Sequence, residues 1–178
     1  MNNFINRMIR AARLDITLYE EVEGDKDSLK QAMLVVILSS AAAGAANVWE
    51  AGIGGIVIGI IISLIGWFVW ALLTYIIGTK LLPEPQTRSD PGELLRTIGF
   101  SSAPGLLRVI GILPVLAKPV FVIAAIWMLA AMVVAIRQAL DYKSTWRAVG
   151  VCVIGWIIQL IIIVLMLSVF VGTAAKSL

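Results

Sequence analysis

The stretch AGIGGIVIGIIISLIGW, residues 51–67, carries no charged side chain, and the apolar run it opens continues as far as Lys80. Water can hydrate no face of such a segment, whereas a bilayer core is crossed by roughly 20 mostly apolar residues in a helix. Residues 55–80 therefore read as a membrane-spanning helix. Working outward, four further apolar runs separated by charge clusters lie at 31–48, 97–116, 119–140 and 148–172. The expected fold class is an all-α integral membrane protein: five transmembrane helices within residues 29–178, preceded by a leader over residues 1–28.

Composition agrees. Hydrophobic residues make up 60% of the 178 and charged residues 14%, against roughly 45–50% and 25% in soluble domains. The single cysteine, Cys152, excludes an internal disulfide. The absence of histidine removes the commonest metal ligand and the commonest proton carrier near neutral pH. No metal and no cofactor are expected. A net charge of +3, spread over termini and loops, speaks against a nucleic-acid partner. None of the five runs contains Asp, Glu or His, so the acid–base pairs of intramembrane hydrolysis are missing, and an enzyme is the weakest reading.

Basic residues report orientation, because lysine and arginine are retained on the cytoplasmic side. Arg7, Arg10, Arg13, Lys26 and Lys30 precede the first run; Lys80, Arg88 and Arg96 lie between the second and third; Arg137, Lys143 and Arg147 lie between the fourth and fifth. These are eleven of the fourteen cations. With five spans, the N-terminus is expected inside and the C-terminus outside.

On a helical wheel, Phe4, Ile5, Met8, Ile9, Ala12, Ile16 and Tyr19 share one side of the leader, and Arg7, Arg10 and Arg13 the other. Two placements fit this amphipathic pattern: a helix lying in the headgroups of an anionic inner leaflet with those arginines at the membrane surface, or a short helix packed on the cytoplasmic ends of the bundle. The acidic run EEVEGDKD would then be a solvated link. In the second span Ala51, Gly55, Gly59 and Ser63 recur every four residues, a spacing that lets helices approach closely in lipid. Small residues in the first and fourth spans make packing within the chain the expected use, with a homo-oligomer or another membrane protein as the alternative partner.

The third run is unusual. Pro104 and Pro114 cannot donate to the carbonyls four residues back, so a doubly kinked or interrupted span is expected. Arg108 lies between them, with no acidic residue in any span to pair it. A charge at mid-depth costs at least roughly 2.5–3.5 kcal/mol and marks a functional candidate by default. Snorkelling of the long side chain is the favoured reading, and a ligand or ion path with Gln159 as the other intramembrane polar candidate is the alternative. Before this run, Asp90, Pro91 and Glu93 form a helix-start signature.

The block GFSSAP, Gly99 to Pro104, resembles the glycine, aromatic, three-residue, proline motif of the Yip domain family, the Ypt-interacting membrane proteins. IWMLAAMVVAIRQAL resembles that family's fourth span, and STWRAVGVCVI the start of its last one. The resemblance covers residues 30–172 and implies a helical membrane protein without catalytic activity, with Gly99, Phe100 and Pro104 as structural motif positions. Eukaryotic relatives are associated with Rab-type GTPases, vesicle traffic and membrane shaping. This chain lacks their long cytosolic N-terminal domain and DLYGP-type motif, which speaks against GTPase binding. The expected function is a non-enzymatic scaffold or accessory subunit that organises membranes; the alternative is a small transporter or channel in which Arg108, Gln159 and Ser101 or Ser102 face one another and water.

Overall fold

The computed structural model describes residues 2–176, and every ordered element among them is helical. The leader forms two helices, α1 (Asn2–Ala12) and α2 (Ile16–Gly24), where the wheel of residues 4–19 assumed one. Leu14 stands between them at φ +61°. Its N–H donates to the Ala11 carbonyl at 3.0 Å and the N–H of Asp15 donates to that of Arg10 at 3.1 Å, the two bonds of a Schellman turn. Glycine is the usual signal for this turn, and leucine conceals it. The expected solvated link is also corrected, since residues 20–24 belong to α2 and Val22 is fully buried.

Leu18, Tyr19 and Val22 pack with Phe100, Ala103 and Ala135, so leader and bundle share a core. At 6% exposure Arg7 is enclosed. It donates to Glu21 at 2.8 Å, Asp25 at 2.9 Å and Gln31 at 3.0 Å, so the arginine expected open at the membrane surface is instead engaged within the protein, tying α1 to α2 and to the chain that follows. Arg10 bridges Asp15 at 2.7 Å and Glu21 at 2.6 Å. That pairing, with help from Thr17, holds the Asp15 carboxyl down to about 2. Arg13 alone of the three is exposed.

The bundle follows with α3 (Ser28–Ala46) and α4 (Val48–Ile76). Near its start α4 is interrupted at Gly52, whose φ of +62° and ψ of −175° suit only a residue without Cβ. A π-turn, Ile77–Leu81, extends α4. Next come α5 (Pro91–Phe100), a 3₁₀ helix (Ala103–Ile112), α6 (Pro114–Ala139) and α7 (Thr145–Lys176). The start of α5 forms the expected capping box, with Glu93 N–H to Asp90 Oδ1 and Asp90 N–H to Glu93 Oε2 both at 2.9 Å. Among the described residues, four helical stretches are long and apolar enough to cross a membrane: Ser28–Ala46, Gly52–Leu81, Pro114–Ala139 and Thr145–Ile162.

The segment expected as the third α-helical span is built differently. Its α geometry ends at Phe100, and the tighter 3₁₀ helix begins just before Pro104. Pro114 kinks no span; it occupies the first turn of α6, where a missing N–H costs nothing, so α6 starts before the expected residue 119. Ser101 repairs part of the break by donating its hydroxyl to the Ile98 carbonyl at 2.7 Å.

Three glycines seat this segment on α3. A Cβ on Gly99 would stand 2.7 Å from the Cβ of Ala32, one on Gly105 would overlap Ser39 Oγ, and one on Gly111 would stand 3.2 Å from the Cβ of Ala46. The spacing is six residues on one side and seven on the other. Six 3₁₀ residues rise about 12 Å and seven α residues about 10.5 Å, so the two registers nearly coincide. The segment therefore runs parallel to α3 from Ala32 to Ala46.

A second core fills the end of the bundle where α4, α5, α6 and α7 converge, with Trp70, Ile77, Leu94, Ile136, Leu140 and Cys152 among its buried members. There Tyr142, pushed up to about 12 chiefly by burial, donates its hydroxyl to the Leu82 carbonyl at 2.7 Å. The opposite halves of α4, α6 and α7 expose large apolar side chains, including Ile62, Ile126 and Leu160.

Candidate ligand cavity around Arg108

Arg108 projects from the 3₁₀ helix into an open cavity of about 310 Å³ lined chiefly by α3, α4, α6 and α7. Ser39 and Ser40 line it from α3, Ser63 and Trp70 from α4, and Gln159 from α7. The 3₁₀ geometry creates the site. An uninterrupted α-helix would place residue 108 at a different angle and depth relative to Gly99, because it turns and rises differently per residue.

Two donors here have no acceptor among the described residues. The Nε of Arg108 and the Nε1 of Trp70 are both buried without a hydrogen-bond partner. The guanidinium carbon lies 5.5 Å from the centre of the Phe121 ring, a cation–π contact that steadies the group without satisfying its N–H donors. The hydroxyl of Ser40 already donates to the Val36 carbonyl at 2.8 Å.

Of the residues singled out from sequence, Arg108, Gln159 and Ser102 meet on this cavity, whereas Ser101 is turned away and buried. Gly59 does not seat a neighbouring helix. A Cβ on Gly59 would meet no atom within 4 Å, and the close contact between α3 and α4 is made instead by Gly44 against Ile56. Gly55, Gly59 and Ser63 border a second groove that runs from Asn47 to Arg108. The side chain of Ala51 lies outside the described residues. A third groove, on the α6–α7 side, is lined by Ile126, Leu129 and Trp156 and also ends at Arg108.

The motif positions have distinct physical tasks. Gly99 permits the approach of α3, Phe100 is fully buried between leader and bundle, and Pro104 is buried at the start of the 3₁₀ helix. Trp70 and Ser39 were not legible as site residues, because an isolated tryptophan or serine in an apolar run reads equally as packing. The six-residue recurrence of Gly99, Gly105 and Gly111 was a usable signal, visible only to a search at the 3₁₀ period.

An all-helical bundle with several membrane-length apolar helices and a helix-breaking motif at Gly99–Pro104 defines a multi-pass membrane protein. The chain matches the Yip1 domain model over residues 19–167 and belongs to that family. No curated protein and no solved structure matches it.

Proposed function

We propose that this protein is a non-enzymatic scaffold or accessory subunit that crosses the membrane five times, with a cytoplasmic N-terminus and an external C-terminus, and organises the bilayer around it. The observation that carries this reading is the fusion of the leader to the bundle. Tyr19 and Phe100 pack in one core while Ile5, Ile9 and Ile16 remain exposed on the leader at 45–48%. A helix with an apolar face that lies in the headgroup layer displaces lipid in one leaflet, and rigid attachment to spanning helices fixes that displacement relative to them. Five crossings are supported by the course of the α5–3₁₀ segment alongside α3. The orientation is supported by the eleven cations that precede or connect the spans on the leader's side. Non-enzymatic character is supported by the cavity lining, whose serines have no carboxylate beside them among the described residues.

Reconstitution into vesicles tests the proposal. The expected result is a sealed membrane and a preference for small over large vesicles that an Ile5→Glu, Ile9→Glu variant loses. Solute flux abolished by Arg108→Ala, or no curvature preference in the parent protein, would overturn it. In a Cys152→Ser background, cysteines at Asn47 and Lys118 should be labelled from one side and one at Ser89 from the other. Labelling of Lys118 from the Ser89 side would reduce the crossings to four.

A further inference from the structure

We propose that the Arg108 cavity binds one anionic phospholipid, with the phosphate on Arg108 and Trp70 and an acyl chain along the α6–α7 groove. The polar atoms left without partners decide the ligand's chemistry. Arg108 Nε and Trp70 Nε1 are donors only, and both residues line the same space. A phosphate diester supplies the acceptors they lack, and the Arg108 charge, which no carboxylate among the lining residues offsets, favours a headgroup without a compensating cation. The hydroxyls of Ser39, Ser63 and Ser102 and the Gln159 amide line the same space and add further donors.

The surroundings decide that this phosphate carries a chain. Arg108, Met128, Met132 and Trp156 border both the polar cavity and the apolar groove of Ile126 and Leu129, so the two spaces adjoin at these side chains. A free inorganic anion would leave that groove unfilled. Access is provided by the groove that begins at Asn47, between α3 and α4, and passes Gly55 and Gly59 before reaching Arg108. Glycine at 59 leaves this passage open, since nothing lies within 4 Å of where its Cβ would be. The depth is suitable. Arg108 precedes the end of the 3₁₀ helix at Ile112 by four residues, about 8 Å at 3₁₀ rise, which a headgroup dipping into a polar groove and a long arginine side chain span together.

The test uses the full-length protein in detergent micelles doped with phosphatidylglycerol or phosphatidylcholine, with bound lipid counted by native mass spectrometry. The parent should retain one phosphatidylglycerol in preference to phosphatidylcholine. Arg108→Gln should weaken that retention by about tenfold to a hundredfold, the scale of a lost charge-assisted hydrogen bond. Gly59→Leu, which narrows the passage, should slow loading, and Arg13→Gln should change nothing. Should Arg108→Gln unfold, Leu129→Trp takes its place: it fills the apolar groove, leaves the arginine intact, and should expel the lipid. Undiminished retention by a folded Arg108→Gln or Leu129→Trp protein, equal retention of phosphatidylcholine, or displacement of the lipid by inorganic phosphate would each overturn the proposal. These readouts are independent of vesicle curvature and flux, so the scaffold reading stands or falls separately.

Discussion

Replacement of Gly99 by alanine should destabilise the bundle, while the same replacement at Gly59 should not. The new Cβ at Gly99 would lie 2.7 Å from Ala32 Cβ, 3.1 Å from the Ala32 carbonyl oxygen and 3.2 Å from its carbonyl carbon. Two of those three atoms are backbone of α3, so no rotamer change relieves the overlap. Relief requires α3 and α5 to separate by roughly 1 Å, and overpacking of this kind costs about 1–3 kcal/mol. Both substitutions gain up to about 1 kcal/mol of helix propensity. Gly59 meets nothing within 4 Å and keeps its gain. The difference between the two variants is therefore the overpacking cost, about 1–3 kcal/mol. Ala32→Gly in the Gly99→Ala background should restore only part of the loss, because the contact with the Ala32 carbonyl remains. Unfolding in mixed micelles of increasing SDS content, followed by tryptophan fluorescence, measures all four proteins. The signal is well placed, since Trp67 donates its indole N–H to the Leu95 carbonyl of α5 at 3.0 Å. Equal midpoints for Gly99→Ala and Gly59→Ala, or no partial rescue, would refute the glycine contacts as the seat of the third segment.

Two further outcomes are expected. Tyr142→Phe should cost about 1–3 kcal/mol and accelerate amide exchange over residues 77–82, because the carbonyls of Gly78 and Leu82 lie 2.9 and 2.7 Å from the lost hydroxyl; unchanged exchange there would contradict this. Burial, reinforced by Glu93 and Asp141, raises Glu23 from 4.5 to about 7. Between those values the folded state retains a proton that the unfolded state has released, so stability should fall as pH rises from about 4.5 to 7. Glu23→Gln should flatten that slope in a thermal-unfolding series, and an unaltered slope would show that Glu23 is not its source.

Much of the fold was legible because lipid imposes few solutions. A run such as residues 51–67 must satisfy its backbone internally, and only a helix does so within one segment. The capping box at Asp90 and the existence of a break at Pro104 are local chemistry and could be read directly. The turns at Leu14 and Asp141 could not, since both residues hold positive φ with hydrogen bonds that a glycine would have announced. Arg7 illustrates a deeper limit. Its place in the helical pattern suggested a headgroup contact, yet Glu21, Asp25 and Gln31 converge on it only after Leu14 has folded α2 back.

The amino-acid sequence by itself determined that this is a helical membrane protein of the Yip1 family with a discontinuous segment at Gly99–Pro104, because hydropathy, proline and glycine act on the nearest turn of chain. Tertiary structure alone decided that this segment continues as a 3₁₀ helix along α3, that the leader joins the core, and that Arg108 meets Trp70, Ser102 and Gln159 around one cavity. These outcomes depend on the angle and rise at which distant helices meet, and a change of two or three degrees of freedom at one break redirects every side chain beyond it.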